Sequence, residues 1–147
     1  MASGNELDLE RFVEAQGPIY EQALRELRGG RKRSHWMWFV FPQLEGLGFS
    51  AMSQKYAIGS KTEARAYLSH PVLGPRLNEC VEAMLAHKDR SAHEILGSPD
   101  DMKFRSSMTL FAAVSEKGSP FERALEQFYA GERDERTIAL LENQAAD

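Results

Sequence analysis

A single cysteine, Cys80, leaves the chain without an intramolecular disulfide and without a zinc site built on several cysteines. Long hydrophobic runs are also missing. The longest, Trp36–Phe41, has six residues, against the roughly 20 a membrane-spanning helix requires. Excess positive charge is lacking: the net charge is −4 and the sequence pI about 5.6, which excludes a protein that coats nucleic acid through its overall charge. Any polyanion must meet a local basic patch. Residues 1–10 carry neither the basic and apolar regions of a secretory signal nor the Arg-rich character of a transit peptide. No repeat, low-complexity stretch or linker interrupts the chain, and no G-x-S-x-G, P-loop, dinucleotide-binding fingerprint or H-E-x-x-H occurs. These absences predict a cytosolic, reduced protein forming one domain over residues 1–147, with an ordered core of about 9–141.

What the sequence does contain is helix punctuation. Leu9–Gln16 and Ile19–Arg28 read as two helices separated by Gly17-Pro18, the second with an apolar stripe of Ile19, Ala23, Leu24 and Leu27 stopped by Gly29-Gly30. Four Ser-x-x-acid strings resemble capping boxes, at Ser60–Glu63, Ser91–Glu94, Ser98–Asp101 and Ser119–Glu122. Two of them place Pro at the first helical position. Leu73, Leu77, Cys80, Val81, Met84 and Leu85 form the stripe of a helix over about 71–87, and Met102–Val114 reads as helical. Phe121–Tyr129 follows the same period, and Asp134 caps a last short helix. Trp36–Phe41 is read as a short helix, a buried strand being the alternative. The fold expected is all-α, a compact multi-helix bundle of about 6–8 helices.

Two segments concentrate chemistry. From Arg25 to Arg33 the chain holds Arg25, Arg28, Arg31, Lys32 and Arg33 against the single acid Glu26, a local +4. Gly29-Gly30 lets backbone approach a ligand, and Ser34 is placed to cap the next element and leave its first N–H groups for a phosphate. His35 offers a group that titrates near neutral pH, and Trp36 or Trp38 a face for a ring to stack on. Gln43 closes this segment. The plain alternative is a solvated basic turn that complements a helix dipole, with the aromatics in the core. In the second segment, Gly97–Thr109, Asp101 and Lys103 are candidates for acid–base work or phosphate contact, and Ser106, Ser107 and Thr109 for a polar pocket wall or close helix packing. Glu63 is a further carboxylate, although its capping-box position already gives it a structural role. Cys80 lies on an apolar stripe, and the histidines show no ligand spacing, so no metal site and no cofactor is expected.

The strings Arg31–Gln43, Gly46-Leu47-Gly48, Tyr56-Ala57-Ile58, Glu63–Leu68, His70–Leu77 and Ser106–Phe111 resemble an all-helical bacterial domain-of-unknown-function family whose structural prototype is mycobacterial. The likeness runs from about Leu9 to Leu141 and implies a single-domain helical fold. Members are often auto-labelled calpastatin, but calpastatin inhibits calpain through disordered repeats and this composition is that of an ordered protein. A looser likeness, carried by the early aromatic segment, Glu63 opening a helix and Lys103-Phe104 near a helix start, is to the NADAR family. Those small, mainly helical domains are linked to hydrolysis of ADP-ribose or related N-glycosides. The Glu-His pair of that family is not present as such.

The function expected is binding of a phosphate-bearing nucleotide or ADP-ribose-like ligand, with hydrolysis of an N-glycosidic bond as the accompanying activity. Arg31, Lys32 and Arg33 hold phosphates, Trp36 or Trp38 stacks a ring, and Glu63 or Asp101 activates water. The partner implied is a phosphate-bearing small molecule or an ADP-ribosylated substrate, with no membrane. Two rivals stand beside it: a non-catalytic module docking an acidic protein or RNA through Arg31–Arg33, and an enzyme on another substrate with His35 as general base.

Overall fold

The computed structural model describes residues 8–144, and ten helices in them carry the fold. In chain order these are α1 (Glu10–Gln16), α2 (Tyr20–Arg28), α3 (Met37–Val40), α4 (Ala51–Lys55), α5 (Lys61–Ser69), α6 (Leu73–Leu85), α7 (Ala92–Leu96), α8 (Asp100–Ala113), α9 (Pro120–Tyr129) and α10 (Glu135–Glu142). The all-α expectation holds; the count of 6–8 does not. One reason is α4: none of its residues is buried, so it lays down no apolar stripe for the sequence to reveal. The short apolar run 36–41 is helical at Met37–Val40.

Helix starts follow the capping chemistry at three of the four expected sites. Ser91 and Glu94 form a complete capping box, while Ser60 and Ser119 each accept the N–H three residues on. At those two starts the acid reaches one residue further back, so that Glu63 accepts from Gly59 N–H and Glu122 from Gly118 N–H, both at 2.7 Å. The fourth fails. Pro99, not Ser98, occupies the cap position of α8 with no side-chain cap bond, because Asp101 N–H already donates to Gly97 carbonyl in the preceding turn.

Helix α8 is the centre of the assembly. Phe104 and all of residues 106–111 are buried, and α5, α7, α9 and α10 pack around it. Helix α6 forms a second axis against α2, α5 and α9. Gly74 lets α6 begin tight against the end of α5, where a Cβ would lie 2.2 Å from the Leu68 carbonyl oxygen. The core is rich in edge-on aromatic contacts, with Phe104 meeting Phe41 at 4.8 Å and Phe128 at 6.1 Å, and Tyr67 meeting Phe12 at 5.1 Å. Buried Gln16 ties α1 to this centre by donating to the Phe39 carbonyl and the Tyr67 hydroxyl. The sole pairing of extended backbone among the described residues is a parallel bridge of Leu44 with Ile58, which pinches residues 45–57 into a loop containing α4. Among the described residues no helix is long and apolar enough to cross a membrane.

Candidate functional site

The basic loop does not form the phosphate cradle its sequence suggests, because an acid of the chain already fills it. Glu26, on α2, accepts hydrogen bonds from Arg33 N–H at 2.8 Å, Ser34 N–H at 3.0 Å, the Ser34 hydroxyl at 2.7 Å, Trp36 Nε1–H at 2.9 Å and Gln22 Nε2–H at 3.0 Å. Burial alone would raise its pKa; these donors outweigh that and hold it at about 2. Ser34 therefore serves Glu26 and does not cap α3, whose N-cap is Trp36. Trp36 is fully buried with its N–H taken, which removes it as a stacking platform. Arg31, Arg33 and His35 remain exposed.

The two chemistry-bearing segments do meet, through Asp100 in the first turn of α8. The Asp100 carboxylate lies 2.9 Å from Lys32 Nζ and 3.9 Å from Lys103 Nζ. Lys32 in turn sits 5.2 Å from the Trp36 ring centroid, and Lys103 sits 5.7 Å from that of half-buried Trp38. Lys32 also donates its N–H to the Ile95 carbonyl. The group clamps the 31–38 segment to the start of α8, one carboxylate being shared by two ammonium groups.

The expected carboxylates fall apart in space and in role. Glu63 is buried, bonded through Oε1 to Gly59 N–H and through Oε2 to Arg11 at 3.2 Å. Asp101 accepts from Met102 N–H and faces His93 Nδ1 at 3.4 Å, with its carbonyl taken by the Tyr129 hydroxyl. Lys61, near Glu63, shares a recess with Thr109 and Ala113. Those residues lie about 12 and 18 Å along α8 from Asp101 at 1.5 Å per residue, so Glu63 and Asp101 do not serve one centre. Ser106 donates to the Met102 carbonyl one turn back in its own helix and lines no recess described. Among the described residues no group of three or more His, Cys, Asp or Glu is placed to hold a metal ion.

A more enclosed space lies elsewhere. The loop pinched by the Leu44–Ile58 bridge surrounds a cleft of about 430 Å³, lined by Gln43, Glu45, Gly48, Phe49, Ser53 and Gln54 among others, within the roughly 300–1,000 Å³ of small-molecule sites. Gln43 is thus the one expected binding residue that the structure places in it. Gly48 is required for its shape, since a Cβ there would come within 2.6 Å of the Ser53 side chain. Phe49 is 78% exposed at the rim, with Met52 on the same loop also exposed. Behind the loop, Gly59 lies between two carboxylates: a Cβ built on it would be 3.4 Å from Glu63 Oε1 and 3.7 Å from Glu45 Oε1. A larger depression of about 610 Å³ beside α6 and α9 is open and crossed by the Arg123–Glu82 ion pair.

Residues 6–141 match the family model described as protein of unknown function (DUF1810). The chain belongs to the DUF1810 family. It is 52% identical to the conserved hypothetical protein Rv1873 from Mycobacterium tuberculosis, whose crystal structure superposes with a TM-score of 0.91 over 93% of this chain and 98% of that one. No curated protein matches the sequence. The match is to DUF1810, and a NADAR likeness is not shown by it.

In this DUF1810 chain the strings that carry the resemblance have distinct structural duties. Arg31–Gln43 forms the loop locked on Glu26, Gly46-Leu47-Gly48 shapes the cleft wall, Tyr56-Ala57-Ile58 closes the cleft's base, and Ser106–Phe111 fills the core of α8. Sequence reasoning missed Glu45 and Phe49, which sit in irregular backbone, and Ser53 and Gln54, on a short helix with no buried residue to give it a period. It also missed the role of Glu26, although a lone acid inside a run of five cations was a visible signal.

Proposed function

We propose that the cleft under residues 43–57 binds the ribosyl end of a nucleoside or ADP-ribose-like ligand, and that Glu45 serves hydrolysis of its N-glycosidic bond. The observation that carries this reading is the lining itself. The cleft's lining includes two amide residues (Gln43, Gln54), a hydroxyl residue (Ser53) and an exposed acid (Glu45), with an exposed Phe49 ring at the rim. Amides and hydroxyls suit the hydrogen-bonding edges of a base and a ribose, and the ring supplies a stacking face. A carboxylate beside the ribosyl carbon stabilises the positive charge that develops there. In the step proposed, Glu45 accepts a proton from water as its oxygen bonds to that carbon; the C–N bond breaks and the base leaves, taking a proton from solvent. Glu63, turned away and paired with Arg11, holds the loop base in place. The lining named contains no cation, so phosphates of such a ligand extend outside the cleft.

The test is a thermal-shift panel of adenosine, nicotinamide riboside, ribose 5-phosphate and ADP-ribose at millimolar concentration, followed by chromatography for released base. A ligand of this class raises Tm for the wild type, and Phe49→Ala weakens that shift. Glu45→Gln keeps binding but stops base release, whereas His35→Ala leaves release unchanged because His35 does not line the cleft. A panel that leaves Tm unmoved and releases no base overturns the reading.

A further inference from the structure

We propose that Arg25, Arg31 and Arg33 form a docking surface for the phosphate backbone of a single-stranded nucleic acid, separate from the cleft. The three surround a shallow recess of about 250 Å³ floored by Gly29 and Glu26, and all three are exposed. Five arginines elsewhere (Arg11, Arg28, Arg105, Arg123 and Arg133) have carboxylate partners within 4 Å. Among the described residues none of these ion pairs involves Arg25, Arg31 or Arg33. The acid nearest to them in sequence explains why. Both Glu26 oxygens point into the loop and are taken by neutral donors from Arg33 N–H, Ser34, Trp36 and Gln22. The acid thus holds the loop open without bonding the guanidinium groups around it. Arg90 extends the surface, packing its side chain against Gly30 with a bond to the Gly30 carbonyl at 3.5 Å.

The geometry selects the partner. Guanidinium forks match phosphate oxygens in pairs, and open arginine rims suit a strand that passes across them. A free phosphate is usually held by clustered backbone N–H groups, and here two of the loop's N–H groups are spent on Glu26. A protein partner wants apolar contact at the centre of its interface, yet among the described residues the exposed large hydrophobics are Phe49, Met52 and Met102, none of which lines this recess. His35 lies exposed two residues beyond Arg33 and offers a ring on which a base can stack. Because the whole chain is acidic at −4, contact is confined to this surface, which makes binding modest in strength and steep in salt.

The experiment is fluorescence anisotropy with a labelled twelve-nucleotide oligouridine RNA between 25 and 200 mM KCl. Wild type binds with log affinity falling against log salt at a slope of about −2 to −3, as three to four phosphate contacts to a single strand require. The triple variant R25A/R31A/R33A, confirmed folded by an unchanged Tm, binds at least about tenfold more weakly and with a shallower slope. Removing exposed arginines elsewhere, in R65A/R136A, leaves both unchanged. R25K/R31K/R33K retains the slope and loses part of the affinity, which keeps the question answerable if the alanine variant does not fold. Absence of binding at 25 mM KCl overturns the proposal. So does wild-type affinity in the triple alanine variant, or displacement of the RNA by an equimolar polyglutamate peptide.

Discussion

Glu26 is the residue whose loss the basic loop would feel most. Four of its five hydrogen bonds connect α2 to Arg33, Ser34 and Trp36, and the fifth comes from Gln22 on α2 itself; hydrogen bonds to a charged group are worth about 1.5–3 kcal/mol each. Glu26→Gln should lower unfolding free energy in urea by about 2 kcal/mol at pH 7. The pH dependence has a fixed sign. The folded pKa of Glu26 is depressed from 4.5 to about 2, so its contribution is fully present above pH 4.5 and is lost as pH falls towards about 2. The gap between wild type and Glu26→Gln should therefore close across that window; a gap that persists at pH 2 would count against the assignment. Cys80 makes a complementary case. Burial, reinforced by the charge of Glu79, pushes its thiol up to about 12. At pH 8 the native protein should not react with a thiol reagent, and stoichiometric labelling should appear only in denaturant.

Among the helices, the contrast between two serines isolates what capping contributes. Ser91→Ala removes a complete capping box and should cost about 1 kcal/mol, whereas Ser98→Ala, outside the cap of α8, should fall within about 0.5 kcal/mol of wild type by chemical denaturation. Gly74→Ala tests the junction of α5 and α6. A methyl group 2.2 Å from a backbone oxygen forces the helices apart, and the loss should exceed the roughly 1 kcal/mol typical of point changes. The same comparison shows what a sequence can reveal. Ser91, Ser119 and Asp134 start helices as their local chemistry implies, because caps act over three residues. Ser98 has the same local pattern and fails, since the turn at Gly97 sets where α8 begins. The α8 core was legible from the apolar Met108, Leu110 and Phe111, although Met102, of the same apolar set, is exposed. The cleft was not, because Glu45–Ala57 owes its form to a bridge between residues 44 and 58 that no local pattern encodes. Likewise, the N–H groups of Arg33 and Ser34 do bind a carboxylate, but it is Glu26 of α2, which no local pattern at 31–34 encodes.

For the molecule as a whole, the connection between the basic segment and the helical core runs through Asp100. With Lys32 and Asp100 side chains 10% and 17% exposed, this pair is shielded enough for its coupling to exceed that of surface pairs. A double-mutant cycle on Lys32→Met and Asp100→Asn should return a coupling of about 1–3 kcal/mol. The same cycle on exposed Arg28 and Glu79 should return about 0.5 kcal/mol or less. A coupling for Lys32 and Asp100 as small as the surface value would mean that the aromatic core alone positions the loop. The formal charge distribution has the same two-part character: +4 over residues 25–33 stands against −4 over residues 121–147, so the overall −4 describes neither region.

Both ends of the described chain are fastened to one short stretch. Arg11, near the start, donates to the carbonyls of Lys55 and Ala57 and pairs with Glu63, while Gln144, at the far end, donates to the carbonyl of Gly59. Ala57 and Gly59 are two residues apart, no more than about 7 Å along the backbone, so the two ends are anchored as neighbours. A circular permutant that joins residues 8 and 144 through a short glycine-serine linker, and opens the chain at exposed Lys117-Gly118 between α8 and α9, would keep all ten helices intact.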